Sequence, residues 1–503
     1  MQILVTPPLR FREPRVMTRK YTSLFCTALT LAQAQLEEDS HWFYDYGGPS
    51  PEPFAMERQG NYIYTGGLFL RTSGLTKGKN LIRFNLTNES WEQIPGLNAE
   101  LNGSVRAIHA ANDGMVYVGG NLSTPAGTSA NRIARFDPST DTWSALFDPN
   151  SSLIADGEGN GPSNGEVRAI TQSGDFIYAG GSFTKSAWPT NERYIRRYQI
   201  STQQWQAVGN GLDGPVRSLL TLPDGSILAG GLFSDELSRW DGSSWTVYGG
   251  GVDGVDSNAV IIRSLAQHPD GRIFIGGFFD TAGSGSNEVS TKNIAAYDPA
   301  TNTWNALAGG FANNYIQSNG TTFDSMGIYA ITINSLGEVY AGGDIQADPA
   351  RTNENLDHVA LWDDTGVWKA LGSGVGNTGS QIVNCLAIGL NQDLYVGGTF
   401  SEGWRNASSA NTQFARWDGT IDFTDYIPGA AQNNSTVLSS TGTQITLDFL
   451  TRPGTDYNLE SSNTLDFSSP TIERSFRGNG NVISSELTRS NEKAFYRFRA
   501  TGP

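Results

Sequence analysis

The chain has 503 residues, a formal net charge of -16, 11% aromatic side chains and 59 glycines. That length accommodates about two to four ordinary domains, or one large repeat domain with additions, and the glycine and aromatic content fits many short strands joined by tight turns. Nucleic acid is excluded as a partner on charge, because phosphate binding needs stripes of Lys and Arg, whereas an acidic surface stays solvated and non-sticky.

Residues 1–16 carry no pattern and read as an over-extended start. From Met17 the chain gives Arg19-Lys20, an apolar run over 21–31 and then Ala32-Gln33-Ala34. These are the charged n-region, short h-region and A-x-A cleavage site of a secretory signal peptide over 17–34. The apolar run is too short to span a bilayer, so export with cleavage near Ala34 is expected. No later run is long or apolar enough for a transmembrane segment in the mature chain. Cys26 leaves with the signal and only Cys385 remains, which rules out an intramolecular disulfide. A large core makes one unnecessary.

Diglycines then recur at Gly66-Gly67, Gly119-Gly120, Gly180-Gly181, Gly230-Gly231, Gly276-Gly277, Gly342-Gly343 and Gly397-Gly398. Each follows an apolar strand, as at 115–118, 176–179 and 394–396. A second strand lies upstream, as in Val105-Arg106-Ala107-Ile108 and Val167-Arg168-Ala169-Ile170. Turns containing Asp113-Gly114, Asp224-Gly225 and Asp270-Gly271 join the two as hairpins. Third strands follow, for example at 133–137, 237–241, 359–363 and 414–418. Fourth strands open with Trp91, Trp143, Trp205, Trp245, Trp304 and Trp368. Four antiparallel strands at this period predict an all-β chain, a seven-bladed β-propeller over 41–425. One blade cannot bury both faces of its own sheet, so blades pack on neighbours around an axis. No Trp-led strand follows Trp417-Asp418-Gly419. The missing piece reads at the other end, in His41-Trp42-Phe43-Tyr44-Asp45-Tyr46-Gly47-Gly48, so the strand at 41–48 is expected to complete the last blade and remove an open edge.

The diglycine followed by Tyr-Asp-Pro-x-Thr-x-Thr-Trp at 297–304, and its Phe-led form at 136–143, resembles the kelch repeat, found also in the propeller of galactose oxidase. The resemblance covers roughly 41–425; it is specific for fold and nearly silent on function. It implies that Phe84, Phe136, Tyr198, Trp240, Tyr297, Trp362 and Trp417, with the Trp column above them, pack over the diglycine corner. The Trp-Asp pairs at 240, 362 and 417 also resemble WD40 blades, but they stand at the kelch Tyr position and lack a Gly-His partner, so that family ranks second. Beyond 425 the pattern stops. Residues 426–443 read as a linker rich in Ser, Thr, Asn and Gly. Short segments at 444–450, 457–461, 471–476, 482–487 and 495–499 predict a small β-sandwich over 444–503. Its runs Tyr457-Asn458-Leu459-Glu460-Ser461-Ser462 and Phe495-Tyr496-Arg497-Phe498-Arg499 resemble C-terminal modules of large secreted bacterial proteins.

In an antiparallel blade the strand 2–3 and 4–1 loops share one face. Those loops are the long ones here, at 68–80, 278–293, 344–358, 399–413, 148–166 and 311–327. The fold does not need their length, so this face is the expected recognition surface. Trp188 and Trp404 lie outside both aromatic columns in strand 2–3 loops. Each either stacks on a sugar or partner or folds back over its own blade. Arg106, Arg168, Arg217 and Arg263 form a column at the start of four successive innermost strands. They make either a positive arc for an anionic ligand or pairs with carboxylates and carbonyls between blades.

Asp156-Gly157-Glu158-Gly159-Asn160-Gly161 mimics the opening of a calcium loop, but Val167 stands where the twelfth-position carboxylate belongs. Copper-radical chemistry of the galactose oxidase kind needs clustered His, Tyr and Cys. His41, His109, His268 and His358 fall singly in different blades, and Cys385 occupies a column otherwise filled by Ala107, Ala169, Ser218, Ser264 and Ala330. Zinc spacings are absent, so no metal and no cofactor is expected. The expected function is non-catalytic recognition, or a surface scaffold, with a glycan or an extracellular protein as partner. Loop carboxylates, among them Asp235, Asp253, Asp256, Glu288, Asp324 and Asp357, keep glycoside hydrolysis open as the alternative.

Overall fold

The computed structural model describes residues 42–43, 49–72, 79–97, 103–122, 132–146, 165–184, 193–254, 260–311, 327–345, 356, 358–362, 366–372, 374–375, 381–400 and 413–417. It also describes strands at 437–441, 444–450, 456–462, 471–477, 482–488 and 495–502. Among these residues, seven four-stranded antiparallel sheets follow one another. The first sheet is Pro49–Gln59, Tyr62–Thr72, Leu81–Asn85 and Ser90–Glu92. The second is Val105–Ala110, Val116–Gly120, Ile133–Asp137 and Thr142–Ala145. Val167–Ser173, Phe176–Gly181, Ile195–Gln199 and Gln204–Ala207 make the third. Val216–Thr221, Ile227–Gly231, Leu237–Trp240 and Trp245–Val247 make the fourth. The fifth is Ile261–Gln267, Ile273–Phe278, Ile294–Asp298 and Thr303–Asn305. The sixth is Gly327–Ile333, Val339–Asp344, Val359–Trp362 and Trp368–Ala370. The seventh takes Ile382–Ile388, Leu394–Thr399 and Phe414–Trp417 from one end of the chain and Trp42–Phe43 from the other, with Trp42 opposite Trp417.

Each first strand packs on the first strand of the next sheet, and that of the seventh packs on that of the first. With both faces covered by neighbours, second strands such as Val116–Gly120 and Ile227–Gly231 are buried along their whole length. This is a β-propeller.

The diglycine is demanded twice over. A Cβ on the first glycine meets the next sheet's β-branched residue, at 2.5 Å from Val167 for Gly119 and 2.4 Å from Ile262 for Gly230. At Gly397 the neighbours are Cys385 of its own sheet and Pro53 of the first. A Cβ on the second glycine collides with a first-strand carbonyl, Ser104 O at 2.0 Å for Gly120 and Glu166 O at 1.9 Å for Gly181. No side chain fits either place.

The aromatic columns pair within every sheet, from Phe84–Trp91 at 5.1 Å between centroids to Trp42–Trp417 at 5.0 Å. The Trp indole then reaches the preceding sheet. Trp205 Nε1 donates to Leu146 O at 2.9 Å, Trp368 Nε1 to Leu307 O at 3.0 Å and Trp42 Nε1 to Leu371 O at 2.6 Å. The expected packing of these rings over the diglycine is corrected here. Aliphatic side chains fill that corner, while the rings sit on glycines that leave the preceding sheet, Trp143 beside Gly96 and Tyr297 with Trp304 beside Gly249. Phe84 and Trp91 of the first sheet pack on Phe414 of the seventh, at 5.3 and 4.7 Å.

The turns between first and second strands are short and stapled by Asx contacts. Asp113, Asp224 and Asp270 each accept a backbone N–H two residues on, from Met115, Ser226 and Arg272, all at 3.0 Å. At the opposite end, the stretch 278–293 is not an irregular loop. It contains Thr281–Ala282, Val289–Ser290 and the 3-10 turn Gly285–Asn287, and its strands join Val252–Asp253 in an extra three-stranded sheet. The stretch 426–443, read as a linker, contains the strand Val437–Thr441, which forms a hairpin with Gln444–Leu450. Together with Val482–Thr488 these make one three-stranded sheet, and Thr471–Arg477, Asp456–Ser462 and Phe495–Gly502 make another.

Candidate functional site

In every first strand the register against the second strand slips by one residue opposite the diglycine. Such a bulge re-aims one side chain. The bulged residues, sheet by sheet, are Phe54, Arg106, Arg168, Arg217, Arg263, Tyr329 and Asn384. Because the first strands pack on one another, these seven positions encircle the axis. Because each lies near the start of its strand, they sit at the end where the long loops leave. All seven are half-buried.

Contacts run around the ring. The Arg106 guanidinium lies 3.6 Å over the Phe54 ring, and that of Arg263 lies 4.3 Å over Tyr329. Glu166, at the entry to the third sheet, takes an ion pair from Arg168 at 3.0 Å and another from Arg106 at 3.6 Å. Asn384 Nδ2 donates to Pro53 O at 3.1 Å, linking the seventh sheet to the first. The four arginines of the sequence column are therefore part of a larger ring, and two of them share a carboxylate between adjacent sheets. Phe54, Tyr329 and Asn384 were not singled out by sequence because they share no chemistry with arginine. Their signal is position: each directly precedes the small residue, Ala55, Ala330 or Cys385, that faces the first glycine.

A second feature lies at the same end. Burial, with Asp253, Asp235 and Asp213 adding repulsion, pushes the Glu236 carboxyl up to about 7. Glu236 is held at φ +45° in the turn before its third strand, where its carbonyl accepts Gly231 N–H at 3.0 Å. Asp213 is held below the usual carboxylate range by the Ser234 hydroxyl and backbone N–H. Lys292 pairs with Asp280 at 3.6 Å nearby in sequence to the extra sheet. Of the carboxylates picked from sequence, Asp235 and Asp253 thus meet at Glu236. Glu288 lies in the connection carrying the extra sheet, and Asp256, Asp324 and Asp357 lie outside the described residues.

The histidines are dispersed. His109 Nδ1 lies 3.6 Å from Glu57 of the preceding sheet; burial lowers His109 to about 4 and raises Glu57 to about 7, the Ala110 N–H at 3.0 Å opposing the latter. His268 bridges to Gly337 O of the next sheet at 2.9 Å and pairs with Asp270. His358 is buried at φ +72° before its third strand, and burial lowers its pKa. Cys385 is buried opposite Gly397, which pushes its thiol up. Among the described residues no three His, Cys, Asp or Glu side chains gather as a metal site. Trp188, Trp404, His41 and the run Asp156-Gly157-Glu158-Gly159-Asn160-Gly161 lie outside the described residues.

A family profile described as "Domain of unknown function (DUF5122) beta-propeller" matches residues 111–139. That span holds the second sheet's Asp113 turn, its diglycine and its third strand. No curated protein matches the sequence. Among solved structures, the extracellular domain of BT4673 from B. thetaiotaomicron is 12% identical with a TM-score of 0.47; the match covers 86% of this chain and 48% of that one. The chain thus spans about half the length of that domain. YCF48 bound to D1 peptide is 14% identical, TM-score 0.44, over 75% of this chain and 96% of that one. The WD40 β-propeller domain of Doa1 is 11% identical, TM-score 0.41, over 74% and 97%. No helix among the described residues is long and apolar enough to cross a membrane.

Proposed function

We propose that this is a secreted β-propeller of seven kelch-like blades, closed by the strand around Trp42 and followed by a small C-terminal β-sandwich that serves display, spacing or export. Its task is recognition or surface scaffolding without catalysis. It binds a glycan or an extracellular protein through the end that carries the strand 2–3 and 4–1 loops, after removal of residues 17–34 as a signal peptide. The observation that carries this reading is the contrast between the two ends. The turn end repeats one stapled Asx device, whereas the loop end bears the ring of Phe54, four arginines, Tyr329 and Asn384 together with long, dissimilar loops. Trp188 and Trp404, both following a diglycine, contribute stacking surfaces at that end.

A carbohydrate-active enzyme is the second reading, and Glu236 favours it. A carboxyl raised to about 7 by burial and by three neighbouring aspartates keeps its proton at neutral pH, as a general acid must. One screen separates the two. Mature protein is applied to a glycan array and, in parallel, to a panel of polysaccharide substrates. Binding without product is expected; turnover that is lost in Glu236→Gln would replace recognition by hydrolysis.

A further inference from the structure

We infer that the turn end of the sixth and seventh sheets is a docking surface for a segment of the same chain, residues 420–428, and that this contact anchors the C-terminal sheets on the side of the ring opposite the long loops. The contact is separate from the recognition proposed above and holds whichever ligand the loop end takes.

Among the described residues, the large hydrophobic side chains left exposed are Leu68, Leu232, Val247, Leu336, Val367 and Leu390. The first three stand at the loop end. The other three crowd the turn end of two adjacent sheets: Leu336 and Val367 in the two turns of the sixth, Leu390 in the first turn of the seventh. Leu336 is 72% exposed. Its turn is tied to that of Leu390, because the Ser335 N–H and hydroxyl both donate to Gln392 Oε1 at 3.0 Å. The equivalent turns of the first five sheets expose no large hydrophobic residue and present polar tips instead, as at Asn61, Asp113, Asp224, Asp270, Ser139 and Ser243. A lone exposed leucine needs no account. Three such residues on neighbouring turns, where the repeat otherwise puts polar ones, form an apolar patch.

Strand direction supplies the occupant. Phe414–Trp417 runs from the loop end to the turn end, where Trp417 pairs with Leu394, the first residue of the strand that follows the Leu390 turn. In the other sheets the third strand turns there into its own fourth strand. In the seventh that place is taken by Trp42–Phe43, with Trp42 opposite Trp417. The chain after Trp417 is therefore delivered beside Leu390, and its own sheet has already filled the fourth-strand place next to Trp417. Residues 418–436, which join Trp417 to Val437 and lie outside the described residues, hold Ile421, Phe423, Tyr426 and Ile427 among Asp422, Thr424 and Asp425. Ile421 and Phe423 alternate with Asp422 and Thr424, so an extended run puts both apolar side chains on one face. Nine extended residues reach about 30 Å, enough to cross the step of about 10 Å between packed sheets from Leu390 to Leu336 and Val367. Docking there removes apolar surface of both partners from water.

The test is limited chymotrypsin cleavage of the mature chain after Phe423, followed by mass spectrometry. It compares wild type, a turn variant with Leu336→Asp and Leu390→Asp, a segment variant with Ile421→Ser and Ile427→Ser, and the four substitutions combined. Both leucines are exposed turn residues, so the turn variant is expected to melt within about 2 °C of wild type. Cleavage should be about tenfold or more faster in the turn variant and in the segment variant. Combining them should add little, because each removes the same contact. Leu68→Asp with Leu232→Asp, at the loop end, should leave the rate unchanged. Equal rates in wild type and the turn variant, or accelerations that multiply in the combined protein, would overturn the inference. So would a dimer, seen by light scattering, that the turn variant dissolves without changing the cleavage rate, since a second copy would then occupy the patch.

Discussion

Glu57 and His109 set a local charge problem between the first two sheets. Glu57 titrates near 7 in the fold against an ordinary value of 4.5, because burial disfavours its anion. The folded state therefore holds an extra proton between about pH 4.5 and 7, and the stability linked to Glu57 falls as pH rises through that window. His109 works the other way. Its value falls from 6.5 to about 4, so its contribution grows with pH between those limits. Replacing Glu57 by Gln keeps the acceptor for Ala110 N–H and removes one titration only. Glu57→Gln should gain in melting temperature relative to wild type as pH rises from about 4.5 to 7. A constant difference across that range would show that Glu57 does not titrate with folding. None of this was legible in the sequence, since the pair is formed by residues of different repeats whose closeness depends on how two sheets pack.

At the scale of elements, the repeat was the most legible part of the chain. Diglycines and Trp-led strands are sequence-local, and each maps onto one physical demand: a corner with no room for Cβ and an indole that reaches the preceding sheet. The two-residue strands Val252–Asp253, Thr281–Ala282 and Val289–Ser290 were not legible, because segments that short carry no alternation. Val437–Thr441 was hidden by Ser and Thr, which read as linker yet also suit a hairpin arm. Trp42–Phe43 is the most consequential short strand. Trp42 is buried, packs at a tilt against Trp417 and donates to Leu371 O across more than three hundred residues. Trp42→Ala should cost about 3–5 kcal/mol in urea unfolding, the range for deleting a buried aromatic, and should resemble Trp205→Ala. Removal of residues 35–48 should lower the melting temperature further. An unchanged midpoint in either protein would mean that the last sheet closes without this strand.

For the whole molecule, the architecture separates a conserved geometry from a variable surface. Small residues opposite the first glycine, paired aromatics and stapled turns repeat from sheet to sheet; the bulged residues and the long loops do not. Sequence revealed four members of the bulge ring because four share a side chain, and hid three because register, not residue type, defines membership. It also could not gather Asp213, Asp253 and the adjacent Asp235 and Glu236, which come from three separate connections. The central claim is recognition at the loop end of the ring. It is tested most directly by hydrogen–deuterium exchange of the mature protein with and without a glycan selected from the array. Protection is expected at the starts of the first strands, around Arg106, Arg168, Arg217 and Arg263, and just beyond the diglycines. Protection confined to the turns at Asp113, Asp224 and Asp270 would contradict the account.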